Sequence, residues 1–138
     1  MLFTLAVALV AAAGPAAATP PQDQQVEVKM TFVESAKNDD CVVQDGGCGH
    51  GEVIPLGQAT ETIEFGAACG GTCDLRTITL EGGTIVAEET FSAPNNLDDV
   101  IIGGTGDFEG ATGTLIGTVR GTGKRAQIKL SGTISFGS

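Results

Sequence analysis

The sequence predicts an all-β domain built as a single antiparallel β-barrel of about eight strands. Apolar and polar residues alternate in several short segments, which is typical of strands with one buried face. Turn residues separate these segments at intervals of about 8–15 residues. The first and last strands are strongly patterned, so we expect the sheet to close on itself and leave no exposed edge.

The first strand is predicted within residues 24–35, QQVEVKMTFVES. Its apolar face contains Val26, Val28, Met30 and Phe32. Residues 36–51 are polar and glycine-rich, and we expect a loop there. The second strand is predicted over residues 58–65, with Ala59, Glu61, Ile63 and Phe65 on one face.

A β-hairpin is predicted over residues 75–91, LRTITLEGGTIVAEETF. The pair Gly82-Gly83 is a two-residue signal for a type I′ or II′ turn. That turn would place Leu80 opposite Ile85 on an apolar face. The same register would place Arg76 opposite Glu89, on that face.

The last strands follow a predicted loop over residues 92–99. A strand resumes at Val100, and a segment rich in glycine and β-branched residues starts at Gly113. The chain closes with an alternating strand over residues 126–136. Its inward residues are Ala126, Ile128, Leu130, Ile134 and Phe136.

Residues 1–18 are interpreted as a secretory signal peptide. An apolar run precedes small residues in an A-x-A pattern, although no basic residue precedes the run. Residues 19–138 would then form the barrel domain. We expect a secreted protein, extracellular or periplasmic, with no membrane attachment after cleavage.

The whole chain is acidic and glycine-rich, with 21 glycines and a net charge of −10 in 138 residues. Such a surface repels phosphate backbones and anionic lipid, so nucleic acid and membranes are not expected partners. The sequence does not decide whether the protein forms a homo-oligomer through its sheet faces.

Four cysteines are expected to form disulfides: Cys41, Cys48, Cys69 and Cys73. Three connectivities are possible. Neighbouring glycines favour the local pairs Cys41–Cys48 and Cys69–Cys73. A zinc site from these thiolates, with or without His50, is the alternative, but neither spacing matches the tight pairs of zinc knuckles.

The segment VIIGGTGDFEGATG, residues 100–113, imitates a dinucleotide-binding loop. Its glycine spacing is one residue too long, and four later glycines oppose the helix that such a loop requires. The segment also differs from the G-G-x-G-x-D repeat of a calcium-binding β-roll, because Asp107 comes one position early and the segment occurs in a single copy. We interpret the segment as a structural turn anchored by Phe108, with its glycines at Gly103, Gly104, Gly106 and Gly110.

This segment resembles the GGTG-x-F-x-G-A-x-G segment of the allene oxide cyclase and dirigent-like β-barrel superfamily, which is calycin-like in architecture. The preceding GGTIVAEETF is similar to a strand of those proteins, and the resemblance covers residues 84–121. It implies an eight-stranded antiparallel barrel. Secreted bacterial proteins of unassigned activity also carry the segment, and no catalytic residue of the plant enzymes can be placed on this chain.

Arg76, Glu89 and Glu61 are the candidate ligand-binding residues, because the predicted faces point them into the barrel. Arg76 could hold a ligand carboxylate, and either glutamate could act as a base if burial raised its pKa. A partly wet ion pair is the alternative. Loop carboxylates that could bind calcium are Asp39, Asp40, Asp98 and Asp99, but solvated loops are favoured, and we expect no metal or cofactor.

Three functions are compatible with this domain. The favoured one is a non-catalytic secreted barrel that binds a small apolar or amphipathic ligand. The second is a cyclase, isomerase or stereochemistry-directing enzyme of the allene oxide cyclase and dirigent type. The third is a structural or interaction module with a filled lumen. The chain contains no tyrosine or tryptophan and one histidine, which favours the first over the second.

Overall fold

Eight strands make up most of the chain in this computed structural model, which describes residues 24–35, 41, 43–121 and 125–137. In chain order the strands are β1 (Gln24–Ser35), β2 (Gly46–Ile54), β3 (Gly57–Ala68), β4 (Cys73–Leu80), β5 (Gly83–Ala93), β6 (Asn96–Gly104), β7 (Thr112–Arg120) and β8 (Ala126–Phe136). The predicted signal peptide, residues 1–18, and the carboxylates Asp39 and Asp40 lie outside the described residues.

The strands form a closed antiparallel barrel in sequential order. Each strand pairs with the next along the chain, and β8 pairs with β1 from Gln24↔Phe136 to Glu34↔Ala126. The predicted fold class is therefore confirmed. Closure satisfies the backbone hydrogen bonds of the first and last strands, which an open sheet would leave as edges.

Alternation along the strands fills the middle of the barrel with apolar side chains. In β1, Val28, Met30 and Phe32 are at most 2% exposed, as the alternating pattern predicts. In β8, Ile128, Leu130 and Ile134 are buried in the same way. Inward residues of the other strands complete the core, among them Val53, Ile78, Ile85, Leu97, Ile101 and Leu115.

Two segments predicted as loops contain strand residues. Strand β2 occupies Gly46–Ile54, within the predicted loop 36–51 and beyond it, and His50 is an exposed strand residue. A Cβ atom at Gly51 would clash with the backbone of Thr31, so glycine permits the close approach of β1 and β2. Strand β6 begins at Asn96, so the predicted loop 92–99 ends four residues early.

The predicted register of the β4–β5 hairpin is wrong by two residues. Leu80 pairs with Gly83 and Ile78 pairs with Ile85, so the turn consists of Glu81 and Gly82. The physical reason is a contact with a distant segment. Thr105 N–H donates to the carbonyl oxygen of Thr84 and Asp107 N–H donates to that of Gly82, both at 2.9 Å. Gly83 lies between these two hydrogen bonds with φ of 152°, where a side chain would clash with the backbone of Thr105. A slip of two residues preserves the faces of both strands.

The glycine-rich segment after β6 forms a compact corner, as predicted. A short 3₁₀ turn spans Gly106–Phe108, and Gly106 has φ of 61°, a conformation that favours glycine. Phe108 is 6% exposed and packs edge-on against Phe136, with ring centroids 5.2 Å apart. Gly103 is a strand residue with open space around it, so the corner does not require glycine there.

Disulfides join Cys41 to Cys48 and Cys69 to Cys73, with Cα separations of 5.5 and 5.2 Å. This is the local pairing that short loop closure favours. The four sulfur atoms are therefore consumed in disulfides, and the alternative zinc site is not formed.

Within the described ranges, no helix combines the length and the apolar character needed to cross a bilayer.

Candidate functional site

Arg76 lies inside the barrel and is the largest fully buried side chain, at 1% exposed. Its guanidinium makes a bidentate contact with Glu89. The Nε atom donates to Oε1 at 2.9 Å, and Nη2 donates to Oε2 at 2.9 Å. This parallel pair of charge-assisted hydrogen bonds fixes the orientation of both side chains.

Three more carboxyl groups surround the same guanidinium. Nη1 donates to Oε2 of Glu34 at 2.9 Å and also to Oε1 of Glu61. Asp99 Oδ2 lies 3.5 Å from Nε. We call Arg76, Glu34, Glu61, Glu89 and Asp99 the lumen cluster. One guanidinium faces four carboxyls, so full ionisation would leave three negative charges uncompensated.

Strand register brings Glu89 and Asp99 together. The two residues pair directly across β5 and β6, and their side chains are 2% and 1% exposed. Two facing carboxylates repel each other, and burial removes the solvent that would screen them. A shared proton relieves this repulsion.

A glycine allows the second carboxyl pair to form. Gly49 of β2 pairs with Glu34 on one side and with Glu61 on the other. A Cβ atom at Gly49 would lie 3.0 Å from Glu34 Cγ and 3.0 Å from Glu61 Oε2. The missing side chain therefore leaves room for carboxyls from two strands that are not neighbours.

Burial shifts the ionisation of the cluster strongly. It raises the pKa of Asp99 to about 9, and the facing Glu89 adds to the increase. It also raises the pKa of Glu61 well above the usual range, and the attraction of Arg76 offsets only part of this. Burial lowers the pKa of Arg76, but the carboxylates, Glu61 first, raise it further, so the guanidinium stays charged.

Three carboxyl oxygens in the cluster lack a donor. Among the described residues, no group donates a hydrogen bond to Glu61 Oε2 or to either oxygen of Asp99. A buried carboxylate without such partners is unfavourable by several kcal/mol, on the order given by transfer measurements. A neutral carboxylic acid can instead donate its proton to the neighbouring carboxylate. The missing donors and the raised pKa values therefore both indicate that Glu61 and Asp99 are protonated in the folded protein.

Three residues of the lumen cluster form the floor of a cavity of about 290 Å³ at one end of the barrel. Glu34, Arg76 and Glu89 line the floor, and Asp74 lines the wall. The apolar lining residues are Ile63, Phe65, Phe91, Leu97, Val119 and Ile128. The cavity thus joins an apolar wall to a polar floor.

The structure brings the three predicted site residues together, because Arg76 contacts both Glu89 and Glu61. Arg76 pairs with Ala87, so Glu89 reaches it diagonally and not from the opposite position. Four of the five N–H donors of Arg76 are bonded to carboxylates, so few remain for an anionic ligand.

Sequence reasoning missed Glu34 and Asp99. The alternation of Val28, Met30 and Phe32 extends by one more step to Glu34, so the pattern places Glu34 on the inward face of the strand. Asp99 lies between Leu97 and Ile101 in the same pattern, but its segment was predicted to be a loop. Asp98 and Asp99 occupy successive strand positions and point to opposite faces, so their carboxyls do not converge on one cation.

The chain is similar in structure to two pterocarpan synthase dirigent proteins. GePTS1 matches with a TM-score of 0.52 and 10% sequence identity, over 83% of this chain and 86% of that chain. PsPTS1 matches with a TM-score of 0.53 and 11% identity, over 85% of this chain and 98% of that chain. No protein-family model matches the sequence, and no curated protein sequence matches it. Together with the closed eight-stranded barrel, these likenesses show that the chain has the fold of the dirigent-like β-barrels.

Proposed function

We propose that the barrel binds one small amphipathic molecule in the cavity above the lumen cluster. The observation that carries this proposal is a cavity of about 290 Å³ with an apolar wall and a charged floor. The apolar part of the ligand would contact the wall, and its polar group would lie on Arg76, Glu34 and Glu89.

The size and composition of the cavity support a small ligand. Small-molecule sites are concave, mostly apolar and carry a few polar groups that orient the ligand. An eight-stranded barrel has room for its own side chains or for one small ligand. Here the core fills the middle of the barrel, and the cavity occupies one end.

We also propose that the protein acts outside the cytoplasm, as the leader-like residues 1–18 suggest. Two disulfides support this location, because such bonds persist in oxidising compartments. Mass spectrometry of the mature protein from a secreting host tests it, with cleavage after residue 18 as the expected result. A full-length cytoplasmic product would contradict it.

A fluorescent alcohol, naphthalen-2-ylmethanol, tests the cavity directly. The chain contains no tyrosine or tryptophan, so naphthalene emission can be measured without protein emission. We expect its anisotropy to rise on binding. Ala126→Phe places a ring in the cavity and should abolish the rise, because Ala126 lines the cavity.

Ala67→Phe is the matched control, because Ala67 is exposed and does not line the cavity. It should bind the alcohol as the wild type does. If the wild type gives no saturable rise, the ligand-binding proposal is wrong, and the interaction module becomes the better hypothesis.

A second candidate is a stereochemistry-directing or isomerising activity. Two observations favour it, namely the dirigent-like fold and the buried acid Asp99, whose pKa of about 9 keeps it protonated at neutral pH. Asp99 does not line the cavity, but it faces Glu89, which does. A proton would therefore pass from Asp99 through Glu89 to a bound carbonyl, while another lining carboxylate accepts a proton from the substrate. Such an isomerisation consumes no oxidant and no co-reactant.

Cyclisation of racemic citronellal to isopulegol, an isomerisation that acids promote, is a suitable assay. We expect wild-type protein to change the ratio of isopulegol stereoisomers, measured by chiral gas chromatography. Asp99→Asn, which lacks the transferable proton, should give the ratio found without protein. Equal ratios with and without the wild-type protein would reject the activity for this substrate class.

A further inference from the structure

We propose that the ligand of this cavity is an organic cation, an amine or ammonium compound with an apolar body. The inference rests on the proposed function, since it names the class of ligand for the same cavity. Two features of the described residues support it: the charge of the cavity lining, and two exposed phenylalanines at the opening.

The lining of the cavity has an excess of negative charge. Glu34, Asp74 and Glu89 contribute carboxyls, while Arg76 is the one cationic side chain among the described lining residues. Its guanidinium is already bonded to Glu89 and Glu34. An incoming cation would therefore find carboxylates that are only partly neutralised, whereas an anion would meet repulsion.

The opening of the cavity carries two aromatic rings. Phe65 and Phe91 are 52% and 54% exposed, although both line the cavity. They come from β3 and β5, the strands on either side of β4, which carries Arg76. The face of a phenyl ring attracts a cation that lies within about 6 Å of its centre. Carboxylates at the floor and rings at the rim together match a cation with an apolar body.

Three naphthalene compounds that carry different polar groups, one cationic, one neutral and one anionic, test this inference. They are naphthalen-2-ylmethylamine, naphthalen-2-ylmethanol and 2-naphthoate, titrated at pH 7 and low ionic strength with fluorescence anisotropy as the readout. We expect the amine to bind about tenfold more tightly than the alcohol, a difference of about 1.4 kcal/mol. The naphthoate should bind more weakly than the alcohol. Added salt should weaken binding of the amine and leave that of the alcohol unchanged.

Glu89→Gln removes one floor carboxylate with almost no change in shape. We expect it to reduce the affinity for the amine much more than the affinity for the alcohol, because only the amine is attracted by the charge of Glu89. Glu88→Gln is the matched control, because Glu88 is the neighbouring residue on the outer face of β5. If Glu89→Gln fails to fold, Asp74→Asn at the wall gives the same comparison, with a smaller loss of about two- to fivefold. Asp98→Asn is its control.

The outcomes separate the two proposals. Tighter binding of the amine that depends on Glu89 or Asp74 supports the cation. Equal affinities for amine and alcohol, or tighter binding of the alcohol or of naphthoate, would overturn the cation inference and leave the binding cavity standing. Failure of all three compounds to bind would overturn both.

Discussion

Glu89 and Asp99 face each other inside the barrel, across the pair of strands β5 and β6. Both are buried, and Glu89 is also held in a bidentate contact by Arg76. The pKa of Asp99, about 9 because of burial and the nearby Glu89, means that this pair holds a proton at neutral pH. A neutral acid and a bound carboxylate therefore lie side by side below the cavity.

Asp99→Asn should remove a pH dependence of stability. Folded protein keeps the proton of Asp99 up to about pH 9, whereas the unfolded chain loses it near pH 4, at about the ordinary pKa of 3.9. Between these values the folded state binds more protons, so the free energy of unfolding falls as pH rises. Asparagine is neutral in both states, so between pH 4.5 and pH 8 the variant should lose less stability than the wild type, by an amount on the order of a few kcal/mol, since one pKa unit corresponds to about 1.4 kcal/mol.

Urea denaturation at pH 4.5 and pH 8 measures this difference. Asp98→Asn serves as the control, since Asp98 lies on the outer face of β6 and should change stability little at either pH. Parallel behaviour of wild type and Asp99→Asn at the two pH values would show that Asp99 is ionised in the folded protein.

Arg76→Met should destabilise the barrel strongly at neutral pH. The substitution leaves four buried or partly buried carboxyls without their counterion. Removal of one partner from a buried ion pair is unfavourable by about 3–5 kcal/mol. The loss should shrink as the pH falls, because a protonated carboxyl needs no counterion. Arg120→Met, an exposed arginine of β7, is the control in the same denaturation series, and an equal loss in both variants would contradict the prediction.

Gly49→Ala tests the space that the carboxyls of Glu34 and Glu61 share. The added methyl group would lie 2.8 Å from the carbonyl oxygen of Val33 and 3.0 Å from the side chains of both glutamates. We expect a loss of about 1–3 kcal/mol, typical of overpacking. Gly103→Ala is the matched control, because a Cβ atom there meets nothing within 4 Å, and its thermal denaturation should resemble that of the wild type. Equal melting temperatures for the two variants would contradict this role of Gly49.

Phe108→Ala should destabilise the glycine corner. Phe108 is buried and packs edge-on against Phe136 of the last strand, so the corner is anchored to the place where the barrel closes. Truncation of a buried phenylalanine is unfavourable by about 3–5 kcal/mol. Phe91→Ala removes an exposed ring and should lower the free energy of unfolding much less. Similar losses in the two variants would argue against the anchoring role.

The sequence was sufficient for the fold class and for the inward faces, because strand alternation is a local property. It failed on the hairpin register, because the conformation of Gly83 depends on Thr105, more than twenty residues away. Asp99 was missed for a related reason. The strand that carries it begins at Asn96, among turn-forming residues that predict a loop. The prediction that Arg76 contacts Glu89 was correct despite the error in register, because a shift of two residues keeps every side chain on its face.

Titration of the Asp99 carboxyl measures whether the barrel holds a neutral acid at neutral pH. In the folded protein, carbon-13 labels at the aspartate side chains allow each carboxyl to be followed by NMR, with Asp99→Asn to assign its resonance. The lumen cluster predicts that Asp99 stays protonated through neutral pH and titrates near 9. An Asp99 carboxyl that titrates near 4 would contradict the claim that the barrel holds a neutral acid beneath its cavity.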